Sequence, residues 1–338
     1  MANISSYNQL SSWNEDDDLL FVQQPDAPKK AHPSQMKEYI LRGLDVSSVG
    51  GAGKYISEIS EADGKISATA ETMDEAPTEG SSKLAKSGGI KAAIDNRVEI
   101  QNNAGFHNSI YRGKSLGSNV TAEQYAAIAA GTFDDMYIGD YWTIDGVKYR
   151  IAHFDYWLNT GDTECTTHHV VLVPDTNLYT AKMNDSNVTT GAYVGSKMYT
   201  TNLAQAKTTI NNAFGASHIL NHREYLANAM KATADPTYES AGSWYDSTVE
   251  LLNERMVYGA DIFHNVEVNG AIPLNYTIDN SQLALFALDR SHICNRANWW
   301  LRCAVSATLF ANVSSIGFAE CYSATSPRGV RPAFGIKA

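Results

Sequence analysis

The residue types that bind metal ions come together most densely in the segment Cys165-Thr-Thr-His168-His169. Thiolates and imidazoles are the usual ligands of zinc. Adjacent residues on a strand point to opposite faces, however, so His168 and His169 would not bind the same ion. The acidic run Asp16-Asp17-Asp18 could bind a cation, but it is also typical of a solvated turn. We therefore predict no metal site.

A thiol nucleophile is the second chemistry to consider, because Cys294 and Cys303 lie near His292 in sequence. An imidazole can activate a cysteine as a general base. Nothing in the surrounding sequence would lower the pKa of either thiol, and buried structural cysteines are far commoner. The signature motifs of nucleotide-binding proteins, serine hydrolases and zinc proteases are absent from the sequence. We therefore expect no enzymatic activity and no cofactor.

The composition excludes some partners. The net charge of the 338-residue chain is −11, which would repel nucleic acid and anionic lipid. No apolar run approaches the roughly 18 residues of a membrane span, and the first residues lack a signal-peptide pattern. We expect the chain to mature in a cytoplasm, with its widely spaced cysteines as free thiols. They are Cys165, Cys294, Cys303 and Cys321.

Residues 1–43 are predicted to form a small folded unit. The apolar run at 19–22 is typical of a strand, and Pro25-Asp26 indicates a turn. Ser34 is a favourable N-cap for a short helix over residues 35–41, which Gly43 would end.

Residues 44–125 change character and are predicted to form an oligomeric stalk. After the glycine-rich joint at 50–53, apolar residues follow a partial heptad repeat, and a helical pattern begins near residue 90. The heptad residues are Ile56, Ile59, Ile66, Ala70 and Met73, and the helical ones are Ile90, Ile94 and Val98. So few apolar residues favour a core shared between identical chains, for which we expect a trimer. A disordered linker fits the same pattern equally well.

Residues 126–338 are predicted to form an α+β domain, because strand-like segments precede and follow helical ones. Strands are expected over residues 137–144 and 147–154, joined by the hairpin dipeptide Asp145-Gly146, and over the apolar run 170–173. Helices are expected over 200–214, with Leu203, Ala206, Ile210 and Phe214 on one face, and over 222–230. Residues 244–256 indicate a third helix or a mixed segment. The last sixty residues resemble strands, with turns at Gly317 and at 327–329.

Two segments near the carboxyl end carry a family resemblance. They are Asn298-Trp299-Trp300-Leu301-Arg302-Cys303 and Gly329-Val330-Arg331-Pro332-Ala333-Phe334. Together they resemble the end of C-type-lectin-like domains, which are related in fold to formylglycine-generating enzymes. Such domains occur in phage and bacterial proteins, many of them diversified by diversity-generating retroelements. The resemblance covers roughly residues 130–338. The acidic N-terminal segment resembles virion-attachment modules of tail or head fibres, and residues 63–95 are similar to fibre linkers.

The resemblance implies a fixed scaffold that holds hypervariable, solvent-facing positions. The implied scaffold residues are Trp299, Leu301, Gly317, Gly329, Pro332 and Phe334. The implied ligand-binding variable patch comprises Asn298, Cys303, Thr308, Leu309, Asn312, Ser314, Ser315, Phe318, Glu320, Cys321 and Tyr322. Strand alternation would bury about half of such a run. This region lacks the calcium-binding EPN and WND motifs and the paired disulfides of classical C-type lectins. It also lacks the reactive cysteine arrangement of the formylglycine-generating enzymes.

The expected organisation is therefore a virion-attachment module at 1–43, a trimeric stalk at 44–125 and a C-type-lectin-like ligand-binding domain at 126–338. The implied function is host attachment: a bacteriophage receptor-binding protein on the virion surface, assembled in the cytoplasm of the bacterial host. Its expected partners are further copies of itself, other virion proteins through the N-terminal module, and a protein or glycan of the host cell surface or environment. A structural capsid or tail decoration protein without a dedicated receptor is the alternative, and a sulfatase-modifying type of enzyme is a third.

Overall fold

The structure is a computed structural model that describes residues 20–24, 27–31, 54–62, 65–231, 238–263 and 278–338. The chain divides into two compact units, Met1–Val98 and Glu99–Ala338. Helices and sheets both occur, so the α+β class is confirmed. Residue 126 is too late as the start of the second unit, because Ala104, Leu116, Val120 and Tyr125 already pack against its core.

The described part of the first unit contains two antiparallel strand pairs. Strands β1 (Leu20–Gln24) and β2 (Ala27–Ala31) pair with Leu20 opposite Ala31. The strand predicted at residues 19–22 is thus confirmed, although it begins one residue later and ends two residues later. The predicted acidic turn at 16–18, the turn Pro25-Asp26, the helix at 35–41 and the glycine joint at 50–53 lie outside the described residues.

The heptad predicted for the stalk is wrong, because these residues form a hairpin. Strand β3 (Lys54–Ala62) pairs antiparallel with β4 (Lys65–Thr72), with Ile56 opposite Ala70 and Ile59 opposite Ala68. The register shifts between Ile56 and Glu58, as at a β-bulge. A bulge adds one residue to one strand, so a three-residue spacing can keep two side chains on one face. The three-residue spacing between Ile56 and Ile59 is also that of a heptad repeat, which is why the sequence indicated a helix. Helix α1 (Ser87–Gln101) confirms the helical pattern predicted near residue 90.

A six-stranded sheet forms one wall of the second unit, in the order β12-β17-β8-β7-β6-β5. Its strands are β5 (Ser115–Gly117), β6 (Tyr141–Ile144), β7 (Val147–Phe154), β8 (Val170–Pro174), β12 (Val249–Leu251) and β17 (Pro332–Ile336). Asp145 and Gly146 both have positive φ, 49° and 78°, as the predicted two-residue hairpin requires. The strand before it begins at Tyr141 instead of 137, because Gly139 adopts φ 84° and packs against the Tyr111 ring.

A five-stranded sheet carries most of the carboxyl-terminal segment, in the order β15-β14-β13-β16-β9. Its strands are β9 (Tyr179–Ala181), β13 (Trp299–Ala304), β14 (Leu309–Val313), β15 (Ala319–Ser323) and β16 (Arg328–Val330). Gly317 has φ 87°, as the predicted turn there requires. The turn predicted at 327–329 is wrong, because Arg328 and Gly329 belong to β16.

The helix predicted over residues 222–230 is also wrong. Strands β10 (His222–Lys231) and β11 (Tyr238–Ser247) form a hairpin of their own. His222, Glu224 and Leu226 are buried at alternate positions, which is the period of a strand. Two of the three are polar, so hydrophobicity alone did not reveal this period.

Short helices complete the second unit. They are α2 (Ala104–His107), α3 (Ala122–Ala130), α4 (Ala204–Phe214), α5 (Glu254–Tyr258) and α6 (Ala284–Leu288), with a π-helical turn at Met198–Asn202 before α4. The predicted apolar face of α4 is confirmed, because all four of its residues are buried. Residues 244–256 are a mixed segment of β11, β12 and α5. None of the described helices is long and apolar enough to cross a membrane.

The carboxyl-terminal motifs form the centre of the core. Trp299, Trp300, Leu301 and Phe334 are fully buried, and the Trp300 indole donates to the carbonyl of Ala181 at 2.9 Å. Burial of each large apolar side chain contributes about 1.5–3 kcal/mol. The scaffold positions Trp299, Leu301, Gly329, Pro332 and Phe334 are therefore all interior.

Candidate functional site

The predicted variable patch lies on and around the β14–β15 hairpin, and its residues differ in exposure. Ser315, Phe318, Glu320 and Tyr322 are exposed. Asn298, Thr308, Leu309 and Cys321 are partly buried. Cys303, Asn312 and Ser314 are buried. The patch thus contains an accessible part and a part that supports it.

Three exposed side chains share one face of β15. Tyr322 pairs with Phe310 and Glu320 with Asn312, so residues of even number lie on the same side of the hairpin. Phe318 continues this row, because its carbonyl accepts from Ser314 N at 2.8 Å. We call Phe318, Glu320 and Tyr322 the β15 surface. Phe318 is 67% exposed and Tyr322 45% exposed.

The turn and a cation hold the β15 surface in place. Ser314 Oγ accepts from Phe318 N at 3.0 Å, and the Tyr258 hydroxyl donates to the carbonyl of Gly317 at 3.2 Å. The Arg328 guanidinium lies over the Tyr322 ring, 3.9 Å from its centroid. A cation in this position attracts the aromatic face, which limits the motion of the ring.

The assignment of Cys303, Asn312 and Ser314 to the contact surface is wrong, because their side chains are inside. Asn312 lies beside Trp300 on the neighbouring strand, and its Nδ2 is 3.5 Å from Glu320 Oε2. The hydroxyl of Ser314 is used within the turn, and Cys303 is 2% exposed. Strand β14 is covered on both faces along most of its length, whereas the residues of the edge strand β15 alternate between partly buried and exposed. The position of a strand within a sheet is not visible in the sequence.

The half-buried patch residues support the hairpin through hydrogen bonds. Asn298 Oδ1 accepts from Ser315 N at 2.6 Å, and the Asn298 carbonyl accepts from Gly329 N at 2.9 Å. The carbonyl of Thr308 accepts from Ala324 N at 3.0 Å. These residues fix the backbone that presents the β15 surface.

Sequence reasoning missed a buried charged cluster formed by Glu224, Asp279 and Arg302. Arg302 Nη2 lies 2.5 Å from Asp279 Oδ2 and 3.3 Å from Glu224 Oε2. The Trp157 indole donates to Asp279 Oδ1 at 2.7 Å, and His222 Nε2 lies 3.1 Å from Glu224 Oε1. Apart from the Arg residue in the NWWLR motif, no sequence pattern indicates this cluster, because its members come from three distant segments.

The two carboxyl groups of this cluster differ in their pKa. Burial, reinforced by the charge of Asp279, raises the pKa of Glu224 well above its usual value. Burial opposes ionisation of Asp279 as well, but the Arg302 guanidinium outweighs it and lowers the pKa of Asp279. Burial thus disfavours the charged form of Glu224, whereas Arg302 favours the charged form of Asp279.

A cavity of about 90 Å³ adjoins this cluster and is lined in part by Tyr193, Tyr225, Arg302 and Cys303. It has room for a few water molecules, whereas pockets for small ligands usually measure about 300–1,000 Å³. The Arg302 guanidinium at its wall is already paired with Asp279. The small volume of this cavity and the pairing of Arg302 with Asp279 favour a structural role for the cavity over ligand binding.

The segment from Cys165 to His169 has its imidazoles engaged in local hydrogen bonds. His168 Nδ1 bonds to Asp155 Oδ2 at 2.7 Å. His169 Nδ1 donates to the carbonyl of Thr167 at 2.8 Å, and its Nε2 accepts from Trp157 N at 3.1 Å. Both nitrogens of His169 are thus used within the protein. Among the described residues, no group of three or more His, Cys, Asp or Glu side chains could hold a metal ion.

The four cysteines are free thiols with different accessibility. We expect Cys294 and Cys321, which are partly exposed, to react slowly with a disulfide reagent at neutral pH. Cys165 and Cys303 are buried and should react only when the protein unfolds. Burial raises the pKa of the Cys165 and Cys321 thiols, which slows both further. Thiol titration with Cys→Ser variants measures this, and rapid modification of Cys303 in the folded protein would support the thiol-enzyme hypothesis instead.

The chain was compared with protein families, curated proteins and solved structures. No family model, curated protein or solved structure matches the chain. The β15 surface combines exposed aromatic groups with a rigid support.

Proposed function

We propose that this chain is a bacteriophage receptor-binding protein whose second unit is a C-type-lectin-like domain. The β15 surface contacts a ligand on the host cell or in the environment. The observation that carries this proposal is the alternation along β15, where Phe318, Glu320 and Tyr322 are exposed above a fully buried framework.

The chemistry of the exposed residues supports a contact role. Ile316, which precedes Phe318 by two residues in the chain, is 66% exposed, so large apolar side chains are exposed at successive alternate positions. Soluble surfaces usually avoid such groupings, and where they occur they often mark binding sites. Tyr and other large anchors carry much of the binding free energy at interfaces. These side chains can also be replaced without disturbing the core, as retroelement-driven variation requires.

Assembly as a homotrimer on a tail or head fibre is part of the proposal, although the heptad argument for it no longer holds. Its support is the exposure of large apolar side chains in the first unit, which a core shared between copies would cover. They are Ile56, Ile59, Leu84, Ile90 and Ile94. Repetition of the second unit would then add avidity to weak single contacts.

Binding of the fluorescently labelled full-length chain to a panel of intact bacterial strains tests the proposal. We expect saturable binding to some strains and a loss of affinity of about thirtyfold or more for Phe318→Ser/Tyr322→Ser, since the loss of even one such anchor can cost about 2 kcal/mol. Leu288→Ser is the matched control, because Leu288 is 44% exposed on α6 and lies outside the β15 surface. Its binding should equal that of the wild type.

Two outcomes would contradict the proposal. Equal binding by the double variant and the wild type would place any ligand elsewhere. Failure to bind any strain, with normal incorporation into virions, would favour the alternative of a structural decoration protein. The retroelement itself is tested by the genome: its presence requires a nearby reverse transcriptase gene and an imperfect repeat of the 3′ coding end.

A further inference from the structure

Strand β15 is the edge of its sheet, and the outward side of its backbone is unpaired among the described residues up to the N–H of Ser323. It pairs only with β14, and in the described sheet nothing lies beyond it. Ser314 N donates to the carbonyl of Phe318, and Ala324 N donates to the carbonyl of Thr308. In an antiparallel ladder, hydrogen-bonded pairs alternate with pairs whose backbone groups point outward. Residues 318, 320, 322 and 324 therefore bond to β14.

The odd-numbered residues of β15 direct their N–H and C=O groups away from the sheet. No described residue bonds to the backbone groups of Ala319 and Cys321, nor to the N–H of Ser323, while the Ser323 carbonyl accepts from Ser326 N at 2.9 Å. Alternate residues on a strand are about 6.8 Å apart. This row matches the spacing of donors and acceptors on a second extended chain.

The usual protections of an edge strand are weak here. Natural edges carry Lys or Pro, or are covered by a helix or loop. Residues 318–323 contain neither Lys nor Pro, and the charge in this stretch is the single carboxylate of Glu320. Among the described residues, no Lys, Arg or His forms an ion pair with Glu320, whose amide contact is Asn312. A cationic side chain on an added strand, placed opposite Glu320, would form an ion pair with its carboxylate.

We propose that the β15 surface recognises its ligand by adding an extended polypeptide segment to the edge of β15. The segment forms backbone hydrogen bonds to Ala319 and Cys321, sets a Lys or Arg side chain against Glu320, and packs apolar side chains against Phe318 and Tyr322. This inference rests on the proposed function and specifies its ligand class as a protein segment, by the strand-addition mode of recognition. A glycan ligand or a second copy of this chain are the competing occupants.

Selection of short linear peptides from a displayed random library on the full-length chain tests the inference. We expect selected sequences with alternating apolar residues and a central Lys or Arg. Cys321→Pro should weaken their binding about tenfold or more, because it removes an outward N–H. Proline is tolerated on an edge strand where the N–H faces away from the sheet. Cys321→Ala is the matched reference, since it removes the same thiol but retains the N–H, and the tenfold loss is measured for Cys321→Pro relative to Cys321→Ala.

A second measurement does not depend on the fold of the proline variant. The selected peptide is N-methylated at every second residue, in one version at the odd-numbered residues and in the other at the even-numbered residues. One version should lose binding and the other should keep it, because only one edge of the peptide strand faces β15. In addition, Glu320→Lys should select Asp or Glu in place of the basic residue. Equal tolerance of N-methylation in both versions would overturn strand addition.

The failure of this inference can be told apart from the failure of the proposed function. If Phe318→Ser/Tyr322→Ser abolishes binding to cells while no peptide is selected and arrayed glycans bind, the ligand is a glycan and strand addition is wrong. If sedimentation shows self-association that Cys321→Pro removes, the occupant is a second copy and the inference is also wrong. If the double variant binds cells normally, the proposed function itself fails.

Discussion

Arg302→Met is expected to lower the free energy of unfolding of the second unit by about 3–5 kcal/mol. Asp279 is 3% exposed, and Arg302 is its one cationic partner among the described residues. Removing the guanidinium leaves a buried carboxylate without a counter-charge. Such a group must either stay ionised at a high desolvation cost or take up a proton. Urea denaturation followed by tryptophan fluorescence measures the loss, since Trp157 donates to Asp279.

Two further variants show whether the lost stability comes from the unpaired charge. Arg223→Met removes a guanidinium that pairs with Asp162 and Asp246 near the surface, and it should cost about 1 kcal/mol or less. Arg302→Met/Asp279→Asn should recover much of the stability, because no uncompensated carboxylate remains. If Arg302→Met costs no more than Arg223→Met, the buried ion pair does not stabilise this fold.

The parts of the fold that could be predicted from the sequence are those with local signals. Asp145-Gly146 predicts its own hairpin because few other residues adopt positive φ at two successive positions. The run at 170–173 and the apolar face of α4 follow from strand and helix periods. The carboxyl-terminal scaffold was implied by the family resemblance, and the core buries its large apolar residues Trp299, Leu301 and Phe334.

The errors have non-local causes. A bulge beside Ile56 gave the β3–β4 hairpin the spacing of a helix, and bulges depend on strand pairing. Burial of His222 and Glu224 depends on Trp157 and Arg302, which lie far away in sequence. For the candidate site, the exposure of Phe318, Glu320 and Tyr322 could be predicted, but not the burial of Asn312. The sequence of that hairpin does not show which strand forms the edge of the sheet, because the tertiary structure decides it.

The second large effect expected is an acid-dependent loss of stability caused by His153. Burial lowers the pKa of His153 to about 4, below its ordinary value of 6.5. Its Nδ1 accepts from Ala284 N at 3.1 Å, and Tyr156 packs edge-on to the ring, so the neutral form is required. An unfolded chain takes up a proton below pH 6.5, whereas the folded chain resists until pH 4. The stabilisation is therefore complete above pH 6.5 and is lost as the pH falls to 4, by about 3 kcal/mol.

Other groups titrate in the same range, so the contribution of His153 must be measured as a difference. Burial lowers the pKa of His222 to about 3, which adds to the acid loss, while burial raises the pKa of Glu224 and Glu250, which opposes it. His153→Asn keeps an acceptor for Ala284 N and removes the titration. The stability of the wild type relative to this variant should fall by about 3 kcal/mol between pH 7.5 and 4. His153→Leu should show the same flattened pH dependence but lower stability at pH 7.5, because it also leaves Ala284 N unpaired. A constant difference between wild type and His153→Asn across this range would mean that His153 is protonated as easily in the folded chain as in water.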